Sequence, residues 1–340
     1  MIVATAKRTI RRGLGLVAPA VWSLRPKPSL VILTYHRVLP KDHPDRQFEQ
    51  PGMYVSPETL EMHLRVLKKR FEIMDLGNWV KRSKDGAPLP DRACAITFDD
   101  GWKDNYDYGF PVLVREHVPA TIFLVSDFIG SNYEFWPNRL ARLLRNLSRS
   151  TVRLLPEALV RAIRSSGLPG DGSQGATTVE QIDMAIAACK SLPDASMLAM
   201  LDLIEDRLPS ALRAADRDLL DLNEIEAMRD SGMVKFGSHT RRHTRLLPGI
   251  DAQVLDSEVR CSREDLEALL GCAVELFCYP NGDCSPAALA MAKKTYLAAV
   301  TTECSWTHSA TDRHRMPRVA VHEDIASDEE AFLCRLGVMV

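Results

Sequence analysis

The stretch Cys94-Ala95-Ile96-Thr97-Phe98-Asp99-Asp100-Gly101 is an apolar, β-prone run that ends in two adjacent carboxylates and a turn residue. A short apolar run bounded by a turn signal reads as a buried strand, which puts the acidic pair at its C-terminal end. The pattern recurs on both sides. Strands are predicted over Leu30–Thr34, Phe71–Met74, Thr121–Val125, Val234–Gly237, Glu275–Cys278, Ala298–Thr302 and Arg318–Val321. Helical patterns lie between the first of them. Ser56-Pro57-Glu58 is an N-cap with proline at the first helical position, and Leu60, Leu64 and Leu67 continue as a core-facing stripe. A second helix is expected from Phe110 to His117, and Pro119 restarts extended chain. Strands alternating with helices pair in parallel through helical crossovers. The number of units predicts a distorted (β/α) barrel of seven or eight parallel strands rather than an open sheet.

Residues 138–221 break this alternation. Helices are expected at Glu157–Arg164, Val179–Leu192 and Ala195–Leu208, with a Gly-, Ser- and Asp-rich loop at Gly167–Gly175. They form a helical insertion after the fourth strand, within a barrel that runs from residue 30 to residue 340. Residues 1–29 stand apart. Lys7, Arg8, Arg11 and Arg12 precede a short apolar stretch from Leu14 to Leu24, too short to span a bilayer and interrupted by Pro19. Two readings are open for it: a basic amphipathic helix lying on an anionic membrane surface through Val17, Val21 and Trp22, or an ordinary solvated terminus.

Composition narrows the class. Of 340 residues, 46% are hydrophobic and 26% charged, as in ordinary globular proteins, and the net charge of −2 gives no basic face for nucleic acid. The eight cysteines form no C-x-x-C pair, which argues against a zinc ribbon and points to a reducing compartment.

The chemistry-bearing residues fall together. His36, Asp99, Asp100, His239, His243, Tyr279 and Arg318 all lie at or just past the end of a predicted strand, where the βα loops of a barrel converge. One Asp with two His is the ligand set of an open metal site, and His239 and His243, four apart, can face one way on a helical turn. A carboxylate beside the ion can take a proton from water, and a histidine can supply one to a departing amine.

Thr97-Phe98-Asp99-Asp100-Gly101 followed by His239-Thr240-Arg241-Arg242-His243 resembles the first two motifs of the NodB-type polysaccharide deacetylases, carbohydrate esterase family 4. Phe277-Cys278-Tyr279-Pro280-Asn281-Gly282 is similar to one form of the third motif. The Tyr-His at 35–36 resembles a rearranged subset that includes poly-N-acetylglucosamine deacetylases. The resemblance covers about residues 30–137 and 222–322. It implies Asp99 as base and Asp100, His239 and His243 as ligands of one divalent ion. Zn²⁺ suits these ligands best, and Co²⁺, Ni²⁺ and Fe²⁺ suit them as well. His36 would be the acid, since no Leu-x-His setting surrounds His308, His314 or His322. The Tyr279 N–H would help hold an oxyanion and its ring would line a sugar pocket. The usual motif arginine is absent. Arg318 either replaces it near Asp99 or lies on the surface. Trp102 and Trp136 either stack on sugar rings or pack in a core.

The expected activity is hydrolysis of the N-acetyl group of an amino sugar, in a glycan or in a lipid- or nucleotide-linked precursor. An O-acetyl esterase, a small-amide amidase and an inactive glycan binder are the alternatives. With its first residues retained, the protein is expected in the cytoplasm, at the inner membrane face if they form a surface helix.

Overall fold

A computed structural model describes residues 22, 25–47, 49–146, 155–165, 177–190, 192–205 and 217–337. The basic residues at 7–12, Val17, Val21 and the loop 167–175 lie outside these. The chain divides into two compact units: one of residues up to 40, 54–131 and from 219 onward, the other of residues 41–53 and 132–218.

The first unit carries the sheet. Its strands are β1 (Ser29–Tyr35), β2 (Arg37–Val38), β3 (Tyr54–Val55), β4 (Glu72–Ile73), β5 (Arg92–Phe98), β6 (Ala120–Leu124), β7 (Val234–Ser238), β8 (Leu276–Cys278), β9 (Ala298–Val300), β10 (Thr307–His308) and β11 (Val319–Ala320). Among the described residues nine of them form one curled sheet in the order β10-β1-β5-β6-β7-β8-β9, with β11 beside β1 and β4 beside β5. Eight run parallel, and β10 alone is antiparallel. Strands β2 and β3, unforeseen in the sequence, pair separately. The register aligns Tyr35 with Phe98, Leu124 with Ser238, Ser238 with Phe277, and Cys278 with Val300. These strands therefore end on one rim. The chain after β10 closes the ring: Met316 bridges to Val300 of β9, and β11 then pairs with β1 at Leu33 and Thr34.

The period-two alternation of the strands sorts side chains into two cores. Leu30, Ile32, Ala93, Ala95, Phe123, Leu276, Cys278, Ala298 and Val300 pack inside the ring with Leu76 and Trp79. Val31, Leu33, Tyr35, Cys94, Ile96, Phe98, Phe277, Tyr279 and Val319 pack outside it against the helices. Gly237 continues the inner set, where a Cβ would lie 2.6 Å from the Phe123 ring.

The helices of this unit are α1 (Pro57–Lys68), α2 (Leu76–Lys84) and α3 (Phe110–Glu116) and, later in the chain than the second unit, α8 (Leu222–Asp230), α9 (Ala252–Asp256), α10 (Ser262–Leu270), α11 (Pro286–Thr295), α12 (Glu323–Ala326) and α13 (Glu329–Gly337). The Ser56 side chain accepts from Thr59 N–H, and Leu60, Leu64 and Leu67 are buried, as the capping and spacing signals predict. Trp22 is 1% exposed and packs on Phe71 and Trp306 at centroid distances of 5.2 and 6.1 Å. It is a core residue here, which corrects its assignment to a lipid-facing stripe.

The second unit holds α4 (Trp136–Arg145), α5 (Glu157–Ser165), α6 (Val179–Cys189) and α7 (Asp194–Glu205). Leu140, Leu144, Leu159, Ile186 and Leu201 form its own core. Residues 41–53 join it through Gln50 to Asp183 at 2.6 Å and Asn138 to Glu49 at 2.8 Å.

Candidate metal centre and active site

The rim collects its residues by parity. The inner set of β5, Ala93 and Ala95, continues through Thr97 to Asp99. Asp100 would then point outward. Instead Asp100 and Gly101 both take positive φ, 74° and 76°, so the chain turns and the second carboxylate swings to the same side. Asp100 Oδ1 lies 3.4 Å from His239 Nε2 and 3.4 Å from His243 Nε2. Two donors about 2.1 Å from one ion at a tetrahedral angle sit about 3.4 Å apart, so the spacing fits a single Zn²⁺-sized cation. The remaining atoms are occupied so as to leave this face clear. His239 Nδ1 bonds the Cys278 carbonyl at 2.9 Å, which directs Nε2 inward. Trp102 Nε1 donates to Asp100 Oδ2 at 3.0 Å.

The two histidines do not sit on a helical turn, which corrects the sequence expectation. They lie on a loop after β7, with Thr240 and His243 at φ 66° and 58°. The left-handed residues, not a 3.6-residue repeat, bring the rings within 5.0 Å of each other.

Arg318 lies in the site. It grips Asp99 with both nitrogens, Nη1 to Oδ1 at 2.7 Å and Nη2 to Oδ2 at 2.6 Å, and is 1% exposed. Its Nε donates to Thr301 O and its Nη1 also to Thr97 Oγ1. Burial pushes the Asp99 carboxyl up, but Arg318 outweighs it, and His239 and His36 add to the effect, so the pKa falls to about 2. Burial likewise opposes Asp100, and its histidine neighbours hold it far below the carboxylate range. His239 is driven down by burial and further up by Cys278, Asp100 and Asp99, ending well above the ordinary imidazole value. His243 is lowered to about 4, chiefly by burial. Asp99, His239 and Cys278 are also close enough to share an ion, but the Arg318 guanidinium already lies there, 3.1 Å from Cys278 Sγ.

His36 follows the inward set Leu30, Ile32 and Thr34, within electrostatic reach of Asp99, Asp100 and His243. Asn105 Nδ2 holds its carbonyl at 2.7 Å, and Asp104 holds the next two residues, Arg37 at 2.8 Å and Val38 N–H at 2.7 Å. His308 pairs with Ser29 at the start of β1, the opposite end of the ring. His314 is buried on Tyr296 O.

Four expectations are corrected. The Tyr279 N–H donates to Val300 O at 3.2 Å, so it is a sheet bond and not an oxyanion donor. The Tyr279 ring has outward parity, is fully buried and bonds His314 O, so it lines no sugar pocket. Trp102 is 1% exposed, with the Arg37 guanidinium 4.3 Å from its ring centre, and serves Asp100 rather than stacking on a sugar. Trp136 packs in the core of the second unit and donates to Asp194 at 3.1 Å, so its ring is spent on packing rather than on a sugar. Cys278 and Asp104 were missed. Their signals were inward parity on β8 and a position four residues past Asp100.

The model of the family described as polysaccharide deacetylase matches residues 86–168 and 204–300, more than half of the chain. The poly-beta-1,6-N-acetyl-D-glucosamine N-deacetylase of Staphylococcus epidermidis is 34% identical over 114 residues, 31% of this chain and 39% of that protein. Among solved structures, the Streptococcus pyogenes deacetylase PplD in complex with acetate is similar with a TM-score of 0.58 at 15% identity, covering 91% of this chain and 98% of its own. IcaB from Ammonifex degensii is similar with a TM-score of 0.57 at 17% identity, covering 90% and 97%. These likenesses extend to the fold, and the family match takes in both the Asp99-Asp100 turn and the histidine loop that meet at the rim: the chain belongs to the polysaccharide deacetylase family.

Proposed function

We propose that the protein hydrolyses the N-acetyl group of an amino sugar, in a glycan or in its lipid- or nucleotide-linked precursor, with a divalent cation held by Asp100, His239 and His243. One observation carries this: a trio of one carboxylate and two imidazoles, spaced for one ion, lies beside a second carboxylate that a buried arginine keeps ionised. The family and the Staphylococcus epidermidis relative support the substrate class.

A cation in the trio supplies Lewis-acid polarisation of the acetamide carbonyl and acidifies water. Asp99, ionised at any physiological pH, accepts the proton of the attacking water. A carboxylate of such low basicity suits only an acidified water, so the base and the trio belong to one device. Arg318 holds Asp99 in place through two bonds and takes no proton itself. His36, just past the end of the neighbouring strand β1, donates to the nitrogen as the amide bond breaks.

The test is acetate release from N-acetylglucosamine oligomers, lipid- and nucleotide-linked N-acetyl sugars and acetylated xylan, with and without chelator. Release from an N-acetyl sugar that stops with chelator and returns with Zn²⁺ or Co²⁺ is expected. Release from acetylated xylan alone replaces amide with ester hydrolysis. Glycan binding without acetate reduces the site to recognition.

A further inference from the structure

The loop between the two histidines is held by a carboxylate with no role so far. Glu258 Oε2 accepts from the backbone N–H groups of both Arg241 and Arg242, at 3.0 and 2.9 Å. Glu258 is 4% exposed. It comes from the π-helical turn Ser257–Cys261, set between α9 (Ala252–Asp256) and α10 (Ser262–Leu270). Such a turn adds a residue to the helix, re-aims its side chains and recurs at functional sites.

The captured amides lie between two strained residues. Thr240, at φ 66°, and His243, at φ 58°, sit in the left-handed region without being glycine. A β-branched residue there is an outlier that persists only where its surroundings over-determine it. Two sets of contacts do so. Ser126 and Asp127 donate N–H groups to the carbonyls of Thr240 and Arg241, at 3.2 and 3.0 Å. The Asp127 carboxylate also binds the side chains of Arg241 and Arg242, at 2.9 and 2.7 Å. The Asp127 ion pairs are partly solvated and weak. Glu258 makes the buried, charge-assisted contact, and it makes it to the backbone.

We propose that Glu258 is a positioning residue: its two bonds to consecutive N–H groups hold residues 240–243 in the strained turn that aims His239 and His243 at one ion. The proposal rests on the assignment of Asp100, His239 and His243 as a cation site.

The test is a Co²⁺ titration of the full chain, followed by visible absorption, with hydrogen exchange at the loop amides before metal is added. Glu258→Ala is expected to bind Co²⁺ about 10–100-fold more weakly, the usual effect of removing a contact that orients a ligand. Its Co²⁺ spectrum should change, and the Arg241 and Arg242 amides should exchange faster. Glu258→Gln, whose amide oxygen can accept both N–H groups, should stay near wild type. Glu258→Asp keeps the charge but is one methylene short, and should fall with the Ala variant. A charge needed only for stability gives the opposite order, Asp above Gln, and that order overturns the proposal. Equal affinity and spectrum in all variants overturn it too. If Glu258→Ala does not fold, the Gln–Asp order decides alone. Wild-type protein that binds no Co²⁺ removes the cation site, and the proposal with it.

Discussion

Asp99 owes its ionised state to one neighbour. Burial favours the neutral acid, and the fork of Arg318 reverses the balance. Arg318→Met leaves a buried carboxylate without its principal counter-charge, so the Asp99 pKa rises. The acid limb of kcat/KM is then expected to move to higher pH by about one unit or more, and stability to fall by about 3–5 kcal/mol. Rate profiles and urea melts measure both, and an unmoved acid limb shows that the base is another group. The histidines support a second expectation. His239 holds a proton well into the neutral range and His243, at about 4, does not. Metal must displace that proton, so binding at pH 7 should release about one proton per ion. Calorimetry in buffers of different ionisation heat counts it, and a count of zero means that His239 is neutral before metal binds. At this scale the sequence displayed residue types and hid orientation. Asp99, Asp100, His239 and His243 were legible because a strand end delivers them to one rim, whereas Arg318 enters ahead of β11 and its sequence left the site and the surface equally open. Tyr279 misled because a single step in register moves a ring from the cavity to the helix layer. Trp102 misled because its indole N–H found a carboxylate two residues away.

Between elements, α1 docks on α13 (Glu329–Gly337) through a buried histidine. His63 stacks on Phe332 at 3.9 Å, with its Nε2 on Ala326 O and its Nδ1 on Tyr35 OH. Burial lowers its pKa from 6.5 to about 4. Between those values the unfolded chain binds a proton that the folded chain refuses. The contribution is therefore complete above pH 6.5 and is lost as pH falls toward 4, about 3 kcal/mol in all. His63→Phe keeps the stacking and cannot titrate. Urea melts at pH 7 and 5 should show a smaller drop for this variant than for wild type, and equal drops would place the titrating group elsewhere. The parallel strands and their crossovers were legible in the hydrophobic runs. Strands β2 and β3, which pair outside the main sheet, and β10, a Thr-His pair, were not, since no apolar run marks them. Nor was the histidine loop, because residues forced into the left-handed region by distant partners leave no mark in local propensity.

At the scale of the molecule, the ring interior is filled to contact. Gly237→Ala places a methyl 2.6 Å from the Phe123 ring and should cost about 1–3 kcal/mol. Adding Phe123→Leu should recover part of this loss in thermal or urea melts. No recovery would mean that the carbonyl of Leu276, 3.0 Å from the same point, is what resists. The barrel class could be read from the count of units. Its closure could not, because the last strand joins the first and the two lie at opposite ends of the chain. That closure orders events in time. Arg318 reaches Asp99 across 219 positions, in the segment that seals β9 to β1. During synthesis, a ribosome that has delivered His36, both aspartates and both histidines has still not delivered the sealing segment. Until it emerges, β1 and β9 present open edges to other nascent chains, and Asp99 lacks its counter-charge. The proposed activity therefore waits on this segment, and a chain that stops short of Arg318 is expected to release no acetate, which an assay of that truncation checks.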